Sequence, residues 1–138
     1  MTVDRPDLNG LRIKLPGHAA MYLIDQGKRR WIPNPTVYDE LFRTWEGILQ
    51  DVDVKEINKG DPIPKTAILV KTYDNPAVYL LDGVSPNQVR RWVVSLATMD
   101  RYQFAWNRIH VWNTPHSSFE TMIRAGPDVR NPDTTTPF

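Results

Sequence analysis

The chain has 138 residues, 41% of them apolar and 24% charged, and its 17 Lys and Arg against 16 Asp and Glu leave a net charge of +1. That mixture excludes a disordered chain and suits one domain that buries roughly two-thirds of its unfolded surface. No apolar run reaches the length of a bilayer span, near-neutrality argues against nucleic acid as a partner, and the absence of cysteine removes disulfides, thiolate metal ligands and cysteine nucleophiles together.

The first ten residues, MTVDRPDLNG, place acids and a proline where a cleaved leader needs a basic start and an apolar stretch. The expectation is a chain that stays in the cytoplasm, is a mature fragment, or is secreted without a cleaved signal peptide. From Leu11 the pattern is that of short strands. LRIKL is followed by the turn PGH, then by AMYLID (Ala20 to Asp25), a tight turn at Gln26-Gly27, and KRRWI. Three strands with such short turns make an antiparallel meander. Met21 and Leu23 on one parity and Tyr22 and Ile24 on the other require both faces of the sheet to be covered. A helix is predicted over TVYDELFRTW, with Thr36 as N-cap, Asp39 completing a capping box, and Gly47 as the stop. Val37, Leu41 and Trp45 recur on one face, which places Trp45 in the core. The strand ILQDVDV and the irregular INKGDPIP follow.

The same order then returns. AILVKTY, the turn DNP, AVYLLD (Ala77 to Asp82), the longer turn GVSPNQ and VRRWV mirror the first set. The helix SLATMDRYQFAWN carries Leu96, Met99, Tyr102 and Trp106 on one side. The strand RIHVWN follows, and TPHSSFETMIRAGP holds a short last helix. Trp31 meets Trp92, Trp45 meets Trp106 and Ile48 meets Ile109. Two units, 11–65 and 66–126, are therefore expected within a single domain, 1–138, with 127–138 as an extended Pro/Thr-rich tail whose Phe138 could dock. The fold class expected is α+β: two pseudo-symmetric repeats, each a three-to-four-stranded antiparallel β-meander plus a short amphipathic helix, sharing one core.

The run Tyr22-Leu23-Ile24-Asp25-x-Gly27-Lys28-Arg29-Arg30-x-Ile32-Pro33, followed by an aromatic-rich helix, resembles a short tandem repeat of bacterial proteins, often secreted or surface-associated, with the signature YLID-G-KR-x-IP. The second unit keeps Tyr79, Leu80, Asp82, Arg90, Arg91 and Trp92 but departs from the pattern at the glycine turn and the Ile-Pro ending. The resemblance implies an accessory or recognition module more than a catalyst.

Asp25 with Arg29 and Arg30, and Asp82 with Arg90 and Arg91, are the most repeated polar residues. They read either as turn caps paired with arginine across each hairpin or as a twice-built polar pocket for sugar hydroxyls or an acidic ligand. Trp31 and Trp92 share strands with these arginines, and an indole beside Asp and Arg suits a sugar face. The ligand-binding set expected is Tyr22, Asp25, Arg30 and Trp31, with Tyr79, Asp82, Arg91 and Trp92 in the second unit. His110, His116 and Glu120 form the only local set resembling metal or catalytic residues, but their spacing fits no zinc signature and no catalytic motif. No metal, cofactor or catalytic residue is expected. The function expected is a non-enzymatic, lectin-like module for carbohydrate or another cell-surface ligand. The alternative is a structural, assembly or toxin-component protein that acts through a partner or as a homo-oligomer.

Overall fold

Gln26 and Gly27 both take positive φ, 54° and 76°. That is the backbone a two-residue hairpin needs, and glycine enters it without steric cost. A Cβ on Gly27 would also press within 3.3 Å of Asp4 and Pro6. The turn joins β2 (Met21–Asp25) to β3 (Lys28–Trp31), and β2 pairs on its other side with β1 (Arg12–Lys14), all antiparallel. The computed structural model, which describes residues 1–132, adds β4 (Leu49–Gln50) parallel to β1, giving the order β3-β2-β1-β4. The second sheet contains β5 (Ile68–Thr72), β6 (Tyr79–Asp82), β7 (Val89–Trp92) and β8 (His110–Trp112) in the order β7-β6-β5-β8, with β8 parallel to β5. The sheets are therefore mixed, not antiparallel meanders throughout. The chain reaches each fourth strand through a helical crossover, which returns it in the direction of the first. Registers correspond: Tyr22 faces Trp31 as Tyr79 faces Trp92, and Leu23 faces Arg30 as Leu80 faces Arg91.

The helices are shorter than their sequence pattern. α1 (Pro35–Leu41) is capped by Asn34, whose side chain accepts from the Val37 amide at 2.9 Å, and not by Thr36. Proline suits the first helical position because it has no N–H to leave unpaired, so the Asn-Pro pair wins over the Thr two residues on. α2 (Leu96–Tyr102) is capped by Ser95 in the same way. Both helices stop where the halves meet. Phe42 and Phe104 form an antiparallel bridge, with Arg43 N–H donating to Gln103 O and Ala105 N–H to Leu41 O, each at 2.8 Å. Extended backbone at Phe42 ends α1, and left-handed Gln103 (φ 57°) ends α2. Trp45 therefore falls beyond α1 and Trp106 beyond α2, in a separate 3-10 turn (Trp106–Arg108), and Leu96, placed on the apolar side by its spacing, is exposed.

The largest buried cluster draws Leu23, Tyr38, Leu41 and Phe42 from the first half and Leu69, Leu80, Tyr102 and Phe104 from the second. The outer face of each sheet is covered separately. Ile13 and Ile24 pack on Val54 and Ile57 beside a 3-10 turn (Val52–Glu56), and Val70, Tyr79 and Leu81 pack on Phe119 of α3 (His116–Met122). The segment assigned to the tail begins inside the fold. Val129 is fully buried, and its amide donates to Trp92 O at 2.8 Å as the Ile63 amide donates to Trp31 O at 2.9 Å. Phe138 lies outside the described residues. Among the described residues, no helix is long and apolar enough to cross a membrane.

Candidate functional site

Asp25 and Asp82 end β2 and β6, and Arg30 and Arg91 stand on β3 and β7, each opposite a buried leucine. Those positions point all four side chains into the space between the sheets, where all are buried. Each arginine makes one bond to the carboxylate of its own hairpin: Arg30 to Asp25 at 2.9 Å and Arg91 to Asp82 at 3.0 Å. Each then forks onto the carboxylate of the other half. Arg30 holds both oxygens of Asp82 at 2.7 and 2.8 Å, and Arg91 both oxygens of Asp25 at 2.6 and 3.0 Å. The remaining nitrogens are used on backbone, with Arg30 Nε donating to Asp61 O and Arg91 Nε to Pro127 O.

Two positive and two negative groups cancel, so the quartet buries charges without burying net charge, and bidentate geometry makes these bonds the strong kind. Burial alone would raise the Asp82 carboxyl. The Arg30 bonds and charge, with Arg91 behind them, outweigh it and hold the group at about 2. Asp25 is likewise lowered: burial opposes, and Arg91 and then Arg30 prevail. The Tyr102 hydroxyl is raised by burial and by the neighbouring Asp25, which it approaches at 3.4 Å.

The other members of the expected binding set separate. Tyr79 is buried, its hydroxyl 2.9 Å from His116 Nε2 and its ring 5.1 Å from Phe119. Tyr22 is half-buried beneath the Arg29 guanidinium, 5.4 Å from the ring centre. Trp31 and Trp92 are open, at 44% and 42% exposure. Trp45 and Trp106, expected in the core, are equally open at 48% and 46%. Trp45 turns back to stack on Tyr38, with ring centres 3.9 Å apart, and its indole N–H donates to Asp39 at 2.8 Å. The helical spacing that suggested burial fails because α1 ends at Leu41, and no residue near Trp45 signals that ending.

Two clefts meet at Trp31 and Pro33. One, of about 390 Å³, is mostly apolar and is lined by Met21, Tyr38 and Trp45. The other, of about 820 Å³, lies between the β2–β3 and β6–β7 turns, floored by Asp25, Arg30 and Asp82 and rimmed by Lys28, Lys59 and Lys65. The histidines of the second unit go to different partners. His110 meets Glu40 of α1, and His116 lies between Tyr79 and Glu120. No family model, curated protein or solved structure matches the chain.

Proposed function

We propose that the chain is a non-enzymatic bacterial binding module for carbohydrate or another cell-surface ligand, with two quasi-equivalent aromatic sites. Its two units descend from one duplicated ancestor and close around a common core. The identical strand orders, the matching registers and the crossed arginine forks support the duplication. So does the resemblance of the first hairpin to a bacterial tandem repeat.

The observation that carries the binding reading is the exposure of four tryptophans at corresponding places, Trp31 with Trp92 and Trp45 with Trp106. An indole left in water forgoes a large burial gain, and sugar rings and other flat apolar faces stack on such surfaces. Trp31 and Trp92, open in both halves, favour a ligand over packing, whereas Trp45 already stacks on Tyr38 and donates to Asp39. The Asp–Arg quartet has little hydrogen-bonding capacity left for a ligand, so its role in this reading is to set the distance between the sites. Two weak linked sites gain avidity on a repeating ligand.

Glycan-array binding by the intact chain is the test. Trp31→Ala and Trp92→Ala should each weaken binding, and together abolish it, with the far-ultraviolet circular dichroism unchanged. Silence of the folded protein on a broad array overturns the reading. The assembly alternative is favoured by one observation: Leu49 on β4 and Val111 on β8 are exposed, on strands that end their sheets. Sedimentation as a strict monomer at high concentration counts against it.

A further inference from the structure

We infer that the chain selects an acidic polysaccharide, a chain of uronate-type sugars, across the two clefts that share Trp31, where both halves line the wider cleft but the first half alone supplies its lysines, and that the Trp92 side carries no such selectivity; this rests on the carbohydrate reading above. Trp31 and Pro33 form a wall common to the apolar cleft and the wider one. A sugar stacked on Trp31 therefore has its neighbours along the chain directed toward Tyr38 and Trp45 on one side and toward lysines on the other. The floor of the wide cleft is charge-balanced, because Arg30 and Arg91 answer Asp25 and Asp82. The rim therefore sets the sign of the field.

On that rim Lys28 pairs with Asp4 at 3.1 Å. Lys59 and Lys65 are exposed and, among the described residues, form no ion pair. Asp61 is the one rim acid between them. Exposed ion pairs are individually weak, so a lone acidic sugar gains little here. A polymer with a carboxylate on successive rings engages both lysines while its ring faces cover the indole.

The second half keeps the tryptophans but has no cation at the three positions that match these lysines; its exposed Arg124 and Arg130 each stand one residue away, and Arg130 pairs with Asp128 at 2.8 Å. Lys28 lies opposite Asp25 where Val89 lies opposite Asp82. Lys59 bridges Arg29 where Ala125 bridges Arg90. Lys65 stands two residues beyond buried Ile63, and Asn131 two beyond buried Val129. Matched aromatic positions with unmatched charge are what two sites of diverged selectivity would leave.

The experiment titrates the full chain with polygalacturonate and with a neutral glucan of similar length, at low and high NaCl, following tryptophan fluorescence. The expected result is a preference for polygalacturonate of about tenfold at low salt that collapses as salt screens the exposed lysines. Lys59→Gln with Lys65→Gln should erase the preference and leave neutral binding intact, and Asp61→Asn should sharpen it. Equal affinity for both polymers, a preference that survives the double lysine change or high salt, or equal binding of a single-stranded DNA oligomer overturns the inference while leaving the carbohydrate reading in place. Loss of the preference in Trp92→Ala but not in Trp31→Ala overturns its assignment to the Trp31 side. A folded protein that binds neither polymer removes this inference, and silence on the full glycan array removes the broader reading as well.

Discussion

Asp82 shows how a buried ion pair ties stability to acidity. Its carboxyl sits at about 2 in the folded chain against an ordinary value of 3.8. The unfolded chain therefore takes up a proton first as pH falls. The contribution is complete above pH 4 and is lost as pH drops through about 2. The shift corresponds to about 2 kcal/mol at neutral pH. Asp25 is displaced in the same direction and adds to the slope. Urea titrations at successive pH values between 5 and 2 (chosen to bracket both ends) should show stability falling steeply below pH 4, and Asp82→Asn should flatten that fall. A wild-type profile that is flat over this range contradicts the account. The repeated Asp and Arg of the sequence point to a pair within each hairpin but leave two arginines open to each carboxylate, and the structure pairs Asp25 with Arg30 and Asp82 with Arg91. The forks between halves were not legible, because linear spacing carries no information about which carboxylate a guanidinium meets across an interface.

At the scale of elements, the three hairpin strands of each half are legible because their signals are local, a Gln-Gly turn, short apolar runs and Pro- or Gly-containing turns, whereas the strand expected over ILQDVDV is only Leu49–Gln50, and Val52–Glu56 winds into a 3-10 turn instead. The helix ends were misread because their cause is remote. Phe42 leaves α1 to exchange backbone bonds with the Phe104 segment, a partner that stands far along the chain. The same limit concealed the exposure of Trp45 and Trp106. α3, expected as a short last helix, is held by hydrogen bonds of His116 to Tyr79 and Asp74, by Arg90 on Glu120, and by one buried ring. Phe119 is its only buried side chain and packs against Tyr79 and Trp112. Phe119→Ala should cost about 3–5 kcal/mol by leaving a cavity against β6, read as a drop in the urea midpoint. A loss below about 1 kcal/mol would mean that the outer face of this sheet is held by something other than that ring.

For the molecule as a whole, the two halves are joined by a central cluster, a backbone exchange and four charged side chains. Such joints make independent melting of either half unfavourable. Arg91→Met strands Asp25 with one arginine instead of two and should destabilise the protein by about 3–5 kcal/mol, as breaking a buried pair does. It should do so in a single transition, with fluorescence of the tryptophans in both halves and far-ultraviolet dichroism changing together. Two separated transitions would show that the sheets behave as independent bodies.

The crossed forks also restrict how such a chain can drift. A carboxylate lost at Asp25 is answered chiefly at Arg91, and one lost at Asp82 at Arg30. A change at either carboxylate therefore disturbs the opposite hairpin at least as directly as its own, and neither half stands as a self-sufficient unit of charge.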